Sequence, residues 1–385
     1  MQIKIAMFSR FPREIAKPRG GVESATVNLA LALVKNPDVD LHIITLEKSL
    51  KVLSCSTMNG MTIHRLPDTF PYQAIDILIG SGKRKVCKYI EELNPDIAHF
   101  HESYAYGMEN LRVPMVFTVH GPDTIMIPVE SGKIGRMKSI RLPLWNYIEN
   151  RGYQHISNII TISPFIQSYL EQRSQARMFP VANAINERFF ELERQEDKRV
   201  LFSAGWVSSR KNTLGLIRSF ANYVEEYGDS ETELRIAGDL KRDVEYVAIV
   251  NEYVEKHNLS DRVNLLGTLD QAQMTCELTK ASTFILTSFQ EVAPMVIAES
   301  MAAAIPVICS NKCGMPYMVD DKASGLLVDP EDEDSIKCAM NELLSNESKR
   351  KKFGAKGRKL AIERFSPEVV AEKTLSVYAQ ILNSA

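Results

Sequence analysis

The stretch at residues 282–309 limits most narrowly what this chain can fold into. It opens on residues 283–287, an apolar run rich in β-branched and aromatic side chains that predicts a buried strand. After a short polar loop, Pro294 fits the first turn of a helix, where its missing N–H costs nothing. That helix is predicted to end near Ala304, and residues 305–309 predict the next strand. A strand–loop–helix–strand unit of this kind is typical of a parallel sheet covered by helices.

Two carboxylates frame this unit. Glu291 lies in the loop and Glu299 lies eight residues later in the predicted helix, just over two helical turns away. The amino terminus of such a helix stands at the carboxyl edge of the sheet, where free N–H groups and the helix dipole favour a phosphate. Because carboxylates accept hydroxyl groups, the combination predicts a site for a sugar nucleotide.

The same alternation of strands and helices runs through residues 3–182, with helices predicted at 22–34, 74–93 and 138–154. It restarts after a charged segment without apolar period at residues 191–199, and a later helix is predicted at 271–280. The sequence therefore predicts an α/β fold with two Rossmann-like, doubly wound domains, which the length of 385 residues can accommodate. The first domain would comprise residues 1–188 with a carboxyl-terminal helix at 366–385, and the second would comprise residues 189–365. Two such domains would present their phosphate-binding loops across one cleft.

The composition agrees with an ordinary enzyme of the cytoplasm. No apolar run approaches the roughly 18–20 residues that cross a bilayer, and the alternation at the amino terminus predicts a first strand and not a signal peptide. Six scattered cysteines without a paired zinc spacing predict reduced, buried thiols. A net charge of −2 gives no reason to expect a nucleic-acid partner.

The charge is uneven along the chain. Residues 1–190 carry 22 Lys and Arg against 17 Asp and Glu, and residues 133–151 interleave basic with apolar side chains. Such a stretch suits peripheral contact with the cytoplasmic face of the inner membrane, but a solvated helix face has the same composition. The sequence leaves both interpretations open.

Two loops carry residues suited to phosphate. Gly20 and Gly21 follow the first strand and open a helix, so the backbone there can approach a ligand closely, although the GxGxxG fingerprint is absent. Arg210 and Lys211 follow the first strand of the second half, and adjacent cations at that place suit a departing diphosphate. The alternative for Gly20 and Gly21 is a flexible turn without a ligand, and the alternative for Arg210 and Lys211 is a solvated basic turn.

Histidines gather at the strand ends of the first half. His120 ends a predicted strand and is a candidate acid or base, or else a structural histidine. His99 and His101 share one face of the preceding strand, but no carboxylate accompanies them, so a metal pair is not predicted. The string Asp38-Val39-Asp40 lies at the amino edge of the sheet, away from the predicted cleft, and is interpreted as surface.

Together these motifs resemble the retaining glycosyltransferases of family 4, which have the GT-B fold. The most specific piece is the E-x7-E pair, Glu291 and Glu299, in the setting QEVAPMVIAESMAAAIPVI. The other motifs follow in family order: Gly20-Gly21, His120, residues 181–185, Arg210-Lys211, Gly238-Asp239 and residues 314–316. The tail helix resembles one that crosses back onto the first domain.

The chain departs from the family pattern at three places. Trp206 stands where many relatives have arginine, and Arg210 is a candidate to supply the missing charge. Ala304 stands where a glycine commonly follows the E-x7-E helix. Residues 181–185, VANAI, replace the usual asparagine–glycine–isoleucine turn.

The resemblance implies a role for each matching residue. Glu291 would contact the hydroxyls of the donor sugar, Arg210 and Lys211 would stabilise the leaving diphosphate, and His120 would line the acceptor side. Glu299 would hold the ribose. The remaining substrate-binding residues implied by the resemblance are Gly20, Gly21, Val292, Ala293, Pro294, Met295 and Gly238. Neither a metal nor another cofactor is implied.

The implied reaction is transfer of a hexose or N-acetylhexosamine from a nucleotide sugar, a UDP-sugar by family, to a glycan or lipid-linked acceptor in surface polysaccharide biosynthesis. A GT-B epimerase is an alternative that predicts turnover of UDP-sugar without acceptor. A phosphorylase is another, and it predicts use of orthophosphate. An inactive sugar-nucleotide-binding scaffold is the third. Arguing against it are the intact residues of the predicted site: Glu291, Glu299, Arg210 and Lys211.

Overall fold

The structure, a computed structural model, describes residues 2–68, 81–102, 104–109, 111–126 and 132–384. The side chains of residues 81, 123, 126, 132–141 and 198 are outside that description. The chain divides into two compact units. The first consists of Met1–Asp123, Pro143–Ala184 and Pro367–Ala385, and the second of Thr124–Leu142 and Ile185–Ser366.

Within the described residues the first unit contains an eight-stranded sheet in the order β3-β4-β2-β1-β5-β6-β7-β8. Its strands are β1 Ile3–Phe8, β2 Val39–Glu47, β3 Ser54–Met58, β4 Met61–Pro67, β5 Ile97–His101, β6 Met115–Val119, β7 Asn158–Thr161 and β8 Arg177–Pro180. Neighbouring strands run parallel, with β3 as the antiparallel exception. The order reverses between β1 and β5, as in a doubly wound sheet.

The edge strand β3 was not predicted from the sequence. It forms a hairpin with β4 through Asn59 and Gly60, whose φ angles are 50° and 81°. All five side chains of β3 are exposed, so the strand has no apolar alternation by which to recognise it. The Asn-Gly dipeptide was the available signal, because the tight turns of hairpins require positive φ at both central residues.

The helices of the amino-terminal half include one that was not predicted, Asp123–Met126, and one, Gly132–His155, that begins six residues before its predicted start at residue 138. They are Gly21–Leu33, Ser81–Leu93, the short Asp123–Met126, Gly132–His155 and Pro164–Glu171. The helix predicted at residues 74–93 is described from Ser81 onward, since residues 69–80 lie outside the described part. The same holds for the side chains of residues 132–141, which carry most of the charge in the basic stretch predicted as a membrane contact.

The carboxyl-terminal helix Pro367–Leu382 packs in the first unit, against the helix Gly21–Leu33. The side chains that it contributes to the core are Val370, Ala371, Val377, Tyr378 and Ile381. Burying each large apolar side chain stabilises the unit by about 1.5–3 kcal/mol. The predicted return of the tail to the first domain is confirmed.

The second unit contains a six-stranded parallel sheet in the order β11-β10-β9-β12-β13-β14. Its strands are β9 Asp197–Ala204, β10 Glu233–Ala237, β11 Val263–Gly267, β12 Ala281–Leu286, β13 Val307–Ser310 and β14 Gly325–Val328. Numbered along the unit, this is the Rossmann order 3-2-1-4-5-6. Such a sheet leaves a crevice outside the carboxyl ends of the two strands where the order reverses, here β9 and β12.

Helices cover both faces of this sheet, so its central strand β12 is buried at every position. The helices are Thr213–Tyr227, Val244–Lys256, Gln271–Lys280, Met295–Ala302, Glu333–Leu344 and Glu347–Phe365. The predicted linker at 191–199 is irregular through residue 196 and then enters β9. Of the helices in the described ranges, none combines the length and the apolar character that a bilayer span needs.

Candidate active site

The crevice of the second unit brings two loops together. The loop after β9 contains the short 3-10 turn Ser209–Lys211, and the loop after β12 leads to the helix Met295–Ala302. The two strands pair directly, with Phe284 beside Phe202. The loops are joined as well, because the Phe289 N–H donates to the Arg210 carbonyl at 2.9 Å. Residues that are distant in sequence therefore meet at the point where doubly wound sheets bind ligands.

Glu291 occupies the centre of this meeting point, where it is buried. The Arg210 Nη1 donates to the Gln290 carbonyl at 2.8 Å and to Glu291 Oε1 at 3.0 Å. The Lys211 Nζ lies 2.5 Å from the same Oε1. Within the described part of the chain both ion pairs end on Oε1, which leaves Oε2 available to accept a hydroxyl group from a ligand.

The charges of this cluster act on one another. Burial raises the pKa of the Glu291 carboxyl, but Lys211 and Arg210 outweigh burial and hold that pKa below its ordinary value. For the cation Lys211 burial acts in the opposite direction and lowers the pKa, while the charge of Glu291 raises it in part. Two cations and one carboxylate give the cluster a net charge of about +1 near neutral pH. An excess positive charge at a sheet crevice suits an anionic ligand such as a diphosphate.

Glycines set the shape of the crevice beside Lys211. A Cβ on Gly238 would lie 1.9 Å from the Gly205 carbonyl oxygen, so only glycine permits this approach of the two loops. The Gly205 N–H donates to the Ala237 carbonyl at 2.9 Å, and Lys211 Cε lies 3.0 Å from where a Cβ on Gly205 would stand. The structure thus gives Gly238 a packing role, and its contact with substrate stays a prediction.

Gly314 contacts the backbone of the loop that carries Glu291. The Gly314 N–H donates to the Glu291 carbonyl at 2.9 Å, and a Cβ on Gly314 would lie 1.7 Å from the Val292 carbonyl oxygen. Val292 is buried and Ala293 is half-buried. Pro294 was predicted to lie in the first turn of the helix. It instead directly precedes the helix, and Met295 is the first helical residue. The helix ends at Ala302, within two residues of the predicted end near Ala304.

Glu299 lies on that helix and is half-buried. Burial raises the pKa of its carboxyl to about 7, against the opposing charge of Arg188. Arg188 belongs to the 3-10 turn Glu187–Phe190, which packs against the helix Met295–Ala302. Sequence reasoning did not select Arg188, and no local motif marks it, because Arg188 and Glu299 lie in distant segments of the sequence.

The first unit holds the predicted residues Gly20, Gly21 and His120. Gly20 precedes the helix Gly21–Leu33 with a φ of 91°, a conformation that favours glycine, and a Cβ there would meet open space. Both glycines are exposed. The backbone conformation at Gly20 explains why a glycine stands there. The predicted closure of Gly20 and Gly21 over a diphosphate stays a prediction.

His120 belongs to a buried group of histidines. Its Nε2 lies 3.0 Å from His101 Nδ1. His99 Nδ1 lies 2.6 Å from the Tyr378 hydroxyl and His99 Nε2 lies 2.7 Å from the Thr118 hydroxyl. His99 therefore ties the tail helix to the sheet. Across the described residues, no group of three His, Cys, Asp or Glu side chains is placed to hold a metal ion.

Lowering the pH should destabilise the protein through these histidines. Burial lowers the pKa of His99 to about 3 and that of His120 to about 4, so both rings are neutral in the folded chain. In the unfolded chain each histidine has its ordinary pKa of about 6.5 and takes up a proton below that pH. The free energy of unfolding therefore falls as the pH falls below about 6.5. At about pH 5 each ring should cost about 2 kcal/mol of unfolding free energy.

Denaturant unfolding at a series of pH values measures this loss. A His120→Asn variant should show a weaker dependence on pH than the native chain. A His257→Gln variant, changed at an exposed histidine, should keep the native dependence. Equal pH dependence in the native chain and the His120→Asn variant would contradict the conclusion that buried, neutral His120 contributes to the loss of stability at low pH.

Two family models match this chain, one on each half. The Glycosyltransferase Family 4 model matches residues 19–189, and the model for Glycosyl transferases group 1 matches residues 184–360. The second match contains the whole cluster of Glu291, Arg210 and Lys211.

Curated relatives match over most of the chain. An uncharacterized glycosyltransferase of Methanocaldococcus jannaschii is 25% identical over 94% of this chain and 95% of its own length. The N-acetyl-alpha-D-glucosaminyl L-malate synthase of Bacillus anthracis is 21% identical over 81% of each chain.

Solved structures share the fold. Sucrose-phosphate synthase from Thermosynechococcus elongatus superimposes with a TM-score of 0.80 at 19% identity and covers 100% of both chains. Anabaena HepE, solved in complex with UDP and glucose, gives a TM-score of 0.73 at 15% identity, covering 98% of this chain and 100% of its own. Together the two family models span residues 19–360, and with the shared fold they identify this chain as a glycosyltransferase of the GT-B type.

Proposed function

We propose that this glycosyltransferase moves a hexose or N-acetylhexosamine from a UDP-sugar, with retention of configuration, to a glycan or lipid-linked acceptor in surface polysaccharide biosynthesis. The observation that carries the proposal is the Glu291 carboxylate, bound through Oε1 by Arg210 and Lys211 with Oε2 left for a ligand. A carboxylate held rigidly beside two cations suits a molecule that has sugar hydroxyls next to a diphosphate.

The neighbouring groups supply the rest of a donor site. Val292, Ala293 and the first residues of the helix Met295–Ala302 have backbone N–H groups, which favour phosphate oxygens. Lys211 and Arg210 would offset the charge that develops on the departing diphosphate. Glu299, with its pKa raised to about 7 by burial, would hydrogen-bond the ribose hydroxyls.

The proposed nucleotide-sugar donor is supported by the similarity of this chain to proteins of known ligand or product. Anabaena HepE has the same fold and was solved with UDP, with UDP-glucose, and with UDP and glucose. The name of the Bacillus anthracis relative describes an N-acetylglucosaminyl product. The first observation supports a UDP donor for this chain, and the second supports an N-acetylhexosamine as the transferred sugar.

Thermal unfolding in the presence of nucleotides tests the donor. A UDP-sugar at a hundredfold excess over its Kd should stabilise the protein by about 2.7 kcal/mol. GDP- and ADP-sugars at equal concentration are the matched controls and should stabilise it less. Failure of every nucleotide sugar to raise the melting temperature would overturn the proposed donor site.

The stereochemistry and the need for an acceptor test the reaction. With an α-linked donor, retention gives an α-linked product, which proton NMR of the new anomeric centre distinguishes from a β-linked one. Consumption of UDP-sugar into an isomeric UDP-sugar without acceptor would instead indicate an epimerase. A β-linked product from an α-linked donor would exclude the retaining mechanism.

A further inference from the structure

An aromatic and a cationic side chain stack on each other in the second unit. The Arg242 guanidinium carbon lies 3.3 Å from the centre of the Trp206 ring. Trp206 comes from the loop after β9, which also carries Arg210 and Lys211, and Arg242 comes from the loop after β10. Because β9 and β10 are paired parallel strands, the two loops leave the sheet side by side at its carboxyl edge.

Backbone contacts place the stack next to Lys211. Gly205, the residue before Trp206, lies against the Lys211 side chain, since a Cβ on Gly205 would be 3.0 Å from Lys211 Cε. On the side of the loop after β10, a Cβ on Gly238 would be 1.9 Å from the Gly205 carbonyl oxygen and 3.3 Å from Trp206 Cα. Gly205 thus links the stack to the cluster around Glu291.

The loop after β10 holds Arg242 in a defined position. The Asp239 carboxylate accepts a hydrogen bond at 2.8 Å from the backbone N–H two residues later. The Asp243 carboxylate accepts one at 3.3 Å from the Tyr246 N–H and so caps the helix Val244–Lys256. These two carboxylates fix the backbone of the loop on either side of Arg242.

The stack is accessible to a ligand. Trp206 is 39% exposed, and Arg242 is exposed as well. An indole face attracts a guanidinium, and a guanidinium that stacks by its face keeps its N–H donors at its edge. Those donors form the planar fork that binds two phosphate oxygens at once. The stack therefore orients a cation in a way that is compatible with phosphate recognition.

We propose that Arg242, positioned by Trp206, binds the diphosphate of the nucleotide-sugar donor. The inference rests on the proposed function, since it adds a contact to the same donor site. Arg210, Lys211 and Glu291 together carry a net charge of about +1 near neutral pH. A diphosphate that is linked to a sugar has two ionised phosphate groups, so a further cation beside Lys211 improves the match of charge. Trp206 is a positioning residue, because it acts through Arg242.

Calorimetric titration with UDP tests the contact. Arg242→Gln should raise the Kd of UDP by about tenfold, the effect of losing one hydrogen bond to a charged group. It should also weaken the dependence of that Kd on salt between about 50 and 500 mM, because one cation fewer faces the diphosphate. Arg242→Lys keeps the charge and should give a Kd between those of the native chain and Arg242→Gln. Lys241→Gln is the matched control, since it removes the adjacent exposed cation, and it should leave the Kd unchanged.

Variants of Trp206 test the positioning role. Trp206→Leu should raise the Kd of UDP by about two- to fivefold, the range for a cation–π contact at an exposed position. Trp206→Phe keeps an aromatic face and should keep most of the native affinity. In the Arg242→Gln background, Trp206→Leu should have no further effect, because its contribution passes through Arg242. Additive effects of the two substitutions would refute the positioning role.

The outcomes distinguish this inference from the proposed function. If the native chain binds UDP, and Arg242→Gln binds it with the native Kd and salt dependence, the contact with Arg242 is wrong while the donor site stands. If the native chain binds no nucleoside diphosphate, the proposed function and this inference fail together. Without ligand, Arg242→Gln should melt at the native temperature, since Arg242 is exposed, so a change in Kd reports on binding.

Discussion

Replacing Glu291 with glutamine should lower the kcat/KM of glycosyl transfer by about 100- to 1,000-fold, the effect of removing one well-placed electrostatic group from an active site. The substitution keeps the size of the side chain but removes the charge that holds Arg210 and Lys211 in place. Both cations are then left in a buried cluster without their carboxylate, which should also destabilise the unit by about 3 kcal/mol.

Transfer kinetics and denaturant unfolding measure the two effects of the Glu291 variant separately. Glu331→Gln is the matched control, because it removes one negative charge from an exposed position of the same unit and should change neither quantity. Full transfer activity in Glu291→Gln, in an assay that the native enzyme passes, would refute the assignment of the site. Lost activity with native stability would still support it.

Replacing Gly314 with alanine should have the second large effect. The added Cβ would lie 1.7 Å from the Val292 carbonyl oxygen, where no real Cβ fits, so the backbone that carries Glu291 has to move. We expect a loss of more than about 3 kcal/mol of unfolding free energy, in the range that backbone conflicts produce. We also expect the nucleotide sugar to stabilise the variant less than it stabilises the native chain.

Gly357→Ala is the matched control for this substitution. Gly357 lies inside the helix Glu347–Phe365, and a Cβ there would have its nearest neighbours at 3.7 Å, an ordinary contact. The change should stabilise the protein by about 0.5–1 kcal/mol, since glycine weakens a helix interior. Equal melting temperatures for Gly314→Ala and the native chain would contradict the close contact described above.

Elements with strong local signals were predicted well. The helix Gln271–Lys280 has the predicted bounds, because Asp270 and Gln273 form a reciprocal cap at its start. The buried strand β12 lies within two residues of its prediction, since a parallel strand covered on both faces is apolar throughout. The return of the tail helix was expected from family resemblance, and its apolar stripe agrees with the packing observed.

Elements without a local signal were missed or misjudged. The exposed strand β3 has no buried face, and three of the six cysteines expected to be buried, Cys55, Cys276 and Cys338, are exposed. Ala304, which stands where the family resemblance places a glycine, has a left-handed conformation with a φ of 56°. Packing around a site can impose such a conformation on a residue that does not favour it.

The sequence by itself determined the class of fold and the position of the loop that carries Glu291. Strand and helix periods, caps and the E-x7-E spacing are local properties, and each acts over fewer than about 20 residues. What the tertiary structure decided is how the charged groups pair. The sequence predicted a diphosphate role for Arg210, but only the folded structure shows that Arg210 is buried against Glu291, which lies 81 positions away along the chain. Such a pairing depends on the order of strands in the sheet, because β9 and β12 become neighbours only when the whole unit has folded.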